Sequence, residues 1–128
     1  NPVLIHAPLG SFLAQELFDI QDTEILDAIA WHTTGRKNMS LLDKIICLAD
    51  FIEEGRRYKG VEKLRKLAFL DINRALLAAM ELSIKNVLEN GILLHPKTID
   101  ARNDLLLEIM NADSSREKAS WVKFNSHK

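Results

Sequence analysis

The stretch HTTGRKNMSLLDKIICLADFIEEGRR, His32–Arg57, decides how this chain folds. Ser40 with Asp43 three positions on has the form of a capping box, in which hydroxyl and carboxylate each accept from a backbone amide of the other's residue. Leu41, Leu42, Ile45, Ile46, Leu48, Ala49 and Ile52 follow at once and go round most of a helix, so this reads as the central helix of an all-α domain. Gly35 takes positive φ without steric cost and ends the helix before it. Gly55 ends the central helix itself. Asp50 stands among aliphatic neighbours, where an ionised carboxylate has to be paired, hydrogen-bonded or bound to a metal. The residues alone leave a structural ion pair, a metal ligand and simple exposure on the polar edge of Lys44, Glu53 and Glu54 open.

Upstream, Pro8 fits the first turn of a helix, with Leu9, Phe12, Leu13 and Leu17 as its apolar stripe and His6 just before or within that turn. Asp22 or Thr23 caps a second helix, buried through Ile25, Leu26, Ile29 and Ala30, which runs into Trp31 and His32. Downstream, Val61 to Asn90 is one long helical pattern with a break marked by Asp71 and a stop at Gly91. Pro96 holds ILLHPKT extended. Thr98 caps a last helix with Ile99, Leu105, Leu106, Ile109 and Met110 on its apolar face. Periodicity then fades, so residues 111–128 are expected as an irregular tail. The sum is five or six helices, with no repeat at a fixed period.

Composition bounds the partners. A net charge of −1 over 128 residues argues against a nucleic-acid surface, whose phosphates usually attract a basic excess. A near-neutral total still leaves room for a basic pocket that takes a small phosphorylated ligand. No apolar run reaches the roughly 20 residues needed to cross a bilayer. NPVLIHAPLG lacks the basic and apolar regions of a signal peptide. The lone Cys47, between Ile46 and Leu48, fits a buried thiol in a reducing compartment, hence a cytoplasmic protein. The chain starts abruptly in apolar sequence, as the interior of a longer protein would.

His6, His32 and Asp50 are too far apart in sequence for a local zinc signature, but a bundle can bring them together. Imidazole and carboxylate suit iron, manganese or zinc alike. A cation held there would acidify bound water and polarise a phosphoryl oxygen. Arg56, and Arg36 beside the Gly35 turn, have the fork geometry for phosphate oxygens. The Thr33 hydroxyl would complete the cradle.

Four segments carry a resemblance: VLIHAPLG, AIAWHTTGRKNMSLLDKIICLADFIEEGRR, GVEKLRKLAF and LLHPKTIDARNDLL. Together they resemble the YqeK-like symmetrical bis(5'-nucleosyl)-tetraphosphatases of the HD-domain phosphohydrolase superfamily. The likeness implies an HD-domain-like helical bundle of which residues 1–110 are the C-terminal two-thirds. It implies an iron-dependent hydrolase, with manganese, zinc or magnesium as alternatives, that splits diadenosine tetraphosphate into two ADP. Asp50 matches the last aspartate of the HD signature, a metal ligand. His6 and His32 match site histidines that bind metal or touch phosphate. Thr33 and Arg56 match nucleotide-contacting positions, so His32, Asp50 and Arg56 form the implied catalytic set. Leu93, Leu94, His95, Pro96, Lys97 and Thr98 match the segment lying against the nucleotide.

The chain departs from the pattern in one respect, because it contains no adjacent His-Asp pair. Those ligands are expected before Asn1 or from another chain, and residues 1–128 alone are expected to be inactive, with exposed apolar surface that favours a homo-oligomer. Two other classes compete: a degenerate HD-fold module that binds nucleotide without turnover, and a structural helical interaction domain. An intact His-Asp upstream separates the enzyme from both.

Overall fold

Ser40 starts its helix as expected. Its hydroxyl accepts from the Asp43 amide at 3.0 Å while Asp43 Oδ2 accepts from the Ser40 amide at 3.0 Å. The structure, a computed structural model, describes residues 2–127, with side chains from residue 4 onward. Among these residues there are six helices and no strand: α1 (Pro2–Phe18), α2 (Thr23–Trp31), α3 (Leu41–Ile52), α4 (Val61–Leu70), α5 (Ile72–Glu89) and α6 (Pro96–Ser126). Asp22 caps α2, accepting from the Glu24 amide at 2.9 Å. Asp71 breaks the long pattern as its position suggests. It closes α4 through its amide and opens α5 by accepting from the Arg74 amide at 3.1 Å.

The centre of the bundle is α5 rather than α3. Ala75, Leu76, Ala79 and Met80 of α5 are fully buried, and Cys47, Leu48, Leu64, Ala101, Leu105 and Ile109 from α3, α4 and α6 close round them. Small residues on α5 let its neighbours approach closely, which the wide apolar girth of α3 does not allow. In α3, Cys47 and Leu48 turn inward while Ile45 and Ile46 stay open to solvent. Helices α1 and α2 form a hairpin attached to this core through the contact of α2 with α3.

Three expectations are corrected. First, α1 runs from Pro2, so Pro8 lies inside it and His6 sits well within the helix. Its contact with α2 is made by small residues. Ala7 and Ala14 are buried, Gly10 Cα carries no side chain where Ile29 Cγ2 lies 3.5 Å from an ideal Cβ, and Ser11 Oγ donates to Leu26 O at 2.8 Å. The stripe Leu9, Phe12, Leu13 and Leu17 faces outward instead. Second, α6 is capped by His95, whose Nδ1 accepts from the Lys97 amide at 3.1 Å, with Pro96 at the first helical position; Thr98 is already inside the helix. Third, the segment 111–126 is helical rather than irregular, and Lys128 lies outside the described residues. No Gly or Pro interrupts it, and Ala, Arg, Glu and Lys carry the helix by propensity where the apolar stripe ends. Arg74 Nη2 anchors it, at 2.5 Å from Asp113 Oδ2. None of the described helices is long and apolar enough to cross a membrane.

The Gly35 turn seats the α2–α3 connection on the core. Gly35 has φ +70, and a Cβ there would come within 2.8 Å of both Ala101 Cβ and Met80 Cε. Gly35→Ala should therefore lower stability by about 2–5 kcal/mol, left-handed strain and overpacking combined. The check is the urea midpoint: it should fall with the m-value unchanged, and an unmoved midpoint refutes the seating role.

Candidate functional site

Arg36 and Asp43 fix the turn that carries the site. Asp43 is 1% exposed, and its Oδ2 accepts from Arg36 Nη2 at 2.8 Å and Nε at 3.1 Å. A second carboxylate, Asp27 of α2, lies 3.3 Å from Arg36 Nη2. The guanidinium is thus shared between α2 and α3, and its pKa is raised chiefly by the hydrogen bond to Asp43. The phosphate role expected for Arg36 gives way to this clamp. The embedded carboxylate of the central stretch is accordingly Asp43, not Asp50. A capping-box acid looks solvent-facing in sequence; its burial needed Arg36 to fold back across the turn.

Held by that clamp, the end of α2 presents His32 and Thr33. His32 Nδ1 lies 2.7 Å from Ile29 O. A carbonyl only accepts, so Nδ1 donates, and in that tautomer Nε2 is the nitrogen with the lone pair. That lone pair faces His6 Nε2 of α1 at 3.1 Å, and Thr33 Oγ1 lies 3.3 Å from the same His6 atom. The two rings meet edge to face with centroids 5.0 Å apart.

Beside this group opens a cleft of about 260 Å³. Thr33 and Thr34 form one end, and Leu93, Leu94, His95 and Thr98 form the wall expected of the ILLHPKT segment. Pro96 and Lys97 are not part of that wall. Lys97 instead places its Nζ 4.7 Å from the centre of the Trp31 ring, tying the start of α6 to the end of α2. Several cleft residues escaped the sequence reading, Cys47, Phe51 and Ser83 among them, with Leu4, Thr34, Met80, Val87 and Ile92. For the first two the signal was present, since Cys47, Asp50 and Phe51 stand at i, i+3 and i+4 and share a helix face.

Asp50 is half-exposed rather than embedded, at the last turn of α3. Its Oδ1 lies 3.2 Å from Arg56 Nη2, and Arg56 Nε donates to its backbone carbonyl at 2.9 Å. Glu53 Oε1 is 3.4 Å from the same Arg56 Nε. Arg56 does not line the cleft. Asp50 still reaches the cleft wall electrostatically: burial first, then the Asp50 charge, pushes the Cys47 thiol up to about 12. No group of three or more His, Cys, Asp or Glu among the described residues is arranged to hold a metal ion. His6, His32 and Asp50 are thus not assembled as one ligand set; the two histidines alone converge.

No protein-family model matches the chain. A relative from Halalkalibacterium halodurans named a symmetrical bis(5'-nucleosyl)-tetraphosphatase is 46% identical over 105 residues, covering 82% of this chain and 56% of the relative. A Bacillus subtilis protein of the same name is 50% identical over 88 residues, covering 69% of the chain and 45% of the relative. A solved structure from Clostridium acetobutylicum, described as an HD superfamily hydrolase involved in NAD metabolism, superposes with a TM-score of 0.78 at 50% identity, over 80% of this chain and 55% of that one. Over most of its length the chain is thus similar to symmetrical bis(5'-nucleosyl)-tetraphosphatases and to an HD superfamily hydrolase.

The chain spans about half the length of the curated relatives it matches. The chain carries the histidine pair, the cleft and the Asp50–Arg56 pair, and its sequence includes no adjacent His-Asp.

Cys47 reports on the cleft wall. Its ordinary value is 9.0 and its folded value about 12, so the stability gained by keeping the thiol protonated is fully present below about pH 9 and is lost as pH rises through about 12. A Cys47→Ala variant should lose that alkaline decline in the thermal midpoint. In the native protein the thiol should stay unreactive toward a disulfide reagent until denaturant is added. Rapid native labelling would show that the wall is open.

Proposed function

We propose that this chain forms the nucleotide-facing part of a metal-dependent hydrolase that splits a dinucleoside tetraphosphate, diadenosine tetraphosphate above all, into two nucleoside diphosphates. The observation that carries the reading is the meeting of His6 and His32 Nε2, 3.1 Å apart, beside a cleft walled by Thr33 and residues 92–95. The names of the relatives supply the substrate class.

The histidine pair fits a cation. Two imidazole nitrogens on neighbouring positions of one ion, each about 2.1 Å from it, are about 3 Å apart. The Ile29 carbonyl on His32 Nδ1 is the kind of outer partner that fixes the tautomer of a metal-binding histidine. His6 and His32 would hold the ion from this chain. The remaining ligands are assigned to the part of the family's domain outside residues 1–128, in cis or from another chain. Bound there, iron, or else manganese, zinc or magnesium, supplies an acidified water and neutralises phosphate charge.

The chain's own residues then have distinct tasks. Thr33 offers a hydroxyl to a phosphate oxygen next to the histidines. The apolar wall of Leu93 and Leu94 takes a base, with His95 and Thr98 at the end nearer α6. Arg56 acts through Asp50, holding its carboxylate at the edge of the cleft. We place this activity in the cytoplasm, where the Cys47 thiol stays reduced. The second reading, nucleotide binding without turnover, applies if the pair holds no metal.

One assay separates them. Purified 1–128 with ferrous iron or manganese should release ADP from diadenosine tetraphosphate at under about a tenth of the rate of the full-length protein. In that full-length protein His32→Ala should abolish turnover, and Arg56→Ala should lower kcat about tenfold, or about 1.4 kcal/mol. Arg56→Lys should restore part of it, because an ammonium reaches the Asp50 carboxylate but not also its carbonyl. Full turnover by His32→Ala overturns the reading.

A further inference from the structure

A second depression, of about 460 Å³, lies on the surface between the α3–α4 loop and α5. It shares two residues with the cleft, Phe51 and Ser83, which line both cavities. The remainder of its lining is unlike the cleft's. Tyr58 adds a second aromatic ring, fixed by its hydroxyl donating to Phe51 O at 2.7 Å. Asn86 adds an amide, Lys59 and Lys85 add two ammonium groups, and Leu82 and the single carboxylate of Glu89 complete the lining, which leaves it one positive charge in excess.

The charges are disposed for an anion. Most of the neighbouring cations are already engaged: Arg56 by Asp50 and Glu53, Arg65 by Glu62, Arg102 by Glu81. Among the described residues Lys59 has no carboxylate partner, and Lys85 has only Glu89, at 3.8 Å with both side chains mostly exposed, a pair of little strength. The Ser83 hydroxyl, on the shared wall, has no hydrogen-bond partner among the described residues. Two aromatic faces, an amide and two available ammonium groups round one depression are the elements that recognise a nucleoside phosphate: stacking for the base, hydrogen bonding for its edge, point charges for the phosphates.

We propose that the Tyr58–Lys59–Lys85–Asn86 depression is a second nucleoside diphosphate subsite, joined to the cleft across Phe51 and Ser83. This rests on the dinucleotide reading above and deepens it. A symmetrical substrate has two identical ends, and a single cleft of this volume does not enclose both. The cleft takes one nucleoside, and the second depression takes the other, with the polyphosphate passing the Ser83 hydroxyl. Symmetric cleavage then leaves one diphosphate in each cavity. The subsite also sets specificity, because a ligand with one nucleoside fills one cavity only.

The test uses ADP and the 128-residue chain, followed by amide chemical shifts and by calorimetry. ADP should shift the signals of Lys59, Lys85 and Asn86 as well as those of Thr33 and Thr98. The double variant Lys59→Glu/Lys85→Glu should weaken binding of diadenosine tetraphosphate by about tenfold, or about 1.4 kcal/mol. Lys66→Glu, an exposed lysine outside the depression, should change it by less than about twofold. All three side chains are exposed, and circular dichroism verifies the fold. Shifts confined to Thr33 and Thr98 would sink the second subsite and leave the dinucleotide reading standing. Equal losses in the double variant and in Lys66→Glu would also sink it, as general electrostatics. Silence at both sets of signals overturns both.

Discussion

The buried carboxylate of Asp43 is the constraint on which the arrangement depends. It sits at 1% exposure, so its oxygens need partners, and Arg36 and the Ser40 amide supply them at Oδ2, while the buried Oδ1 has none among the described residues. Removing one partner of such a pair strands the other charge and typically costs about 3–5 kcal/mol, although the partial exposure of Arg36 moderates that here. The pair does more than join α2 to α3. It fixes the path of residues 32–36, and with it the direction in which His32 and Thr33 face. Gly35 completes the restraint by pressing the turn against Ala101 and Met80 with no room for a Cβ. A second pair, Lys44 with Glu108 at 2.9 Å, ties α3 to α6 from the next residue of the helix.

From that fixed turn the cleft follows. Its walls come from three places: the α2–α3 turn, the inward faces of α3 and α5, and the extended residues before α6. The helices are positioned by the α5 core, and the extended segment by the His95 cap and the contact of Lys97 with Trp31. A ligand site between rigid elements is more accurately placed than one on a loop. The histidine pair depends on a weaker join. His6 reaches His32 because Ala7, Gly10 and Ala14 let α1 lie close on α2, and the hairpin meets the remainder through α3. The broad apolar stripe of α1 has no cover among the described residues.

Local signals in the chain were enough for much of this. The Ser40–Asp43 box, the Asp22 cap, the Asp71 break and the glycines at 35 and 91 each depend on residues within one or two turns, and each appears where the spacing puts it. The extended run before Pro96 follows from a steric clash between adjacent residues. The segment from Leu93 to Thr98 was marked by the resemblance alone, and Leu93, Leu94, His95 and Thr98 of it line the cleft. The likeness to these relatives was likewise legible, because it is carried by contiguous blocks of residues.

The tertiary structure decided which face of each helix meets which neighbour. Leu9, Phe12 and Leu13 look like the buried stripe of α1, yet alanines make the contact, because close approach favours small side chains over large ones. Asp50 looks embedded and Asp43 looks like a surface cap, yet their roles exchange. Whether a carboxylate is buried depends on an arginine arriving from elsewhere, which no periodicity encodes. The pairing of His6 with His32 across 26 positions belongs to the same class. Local spacing places the caps and breaks of α2, α3, α4 and α5; the meeting of two side chains from different helices is fixed only by the packing that joins them.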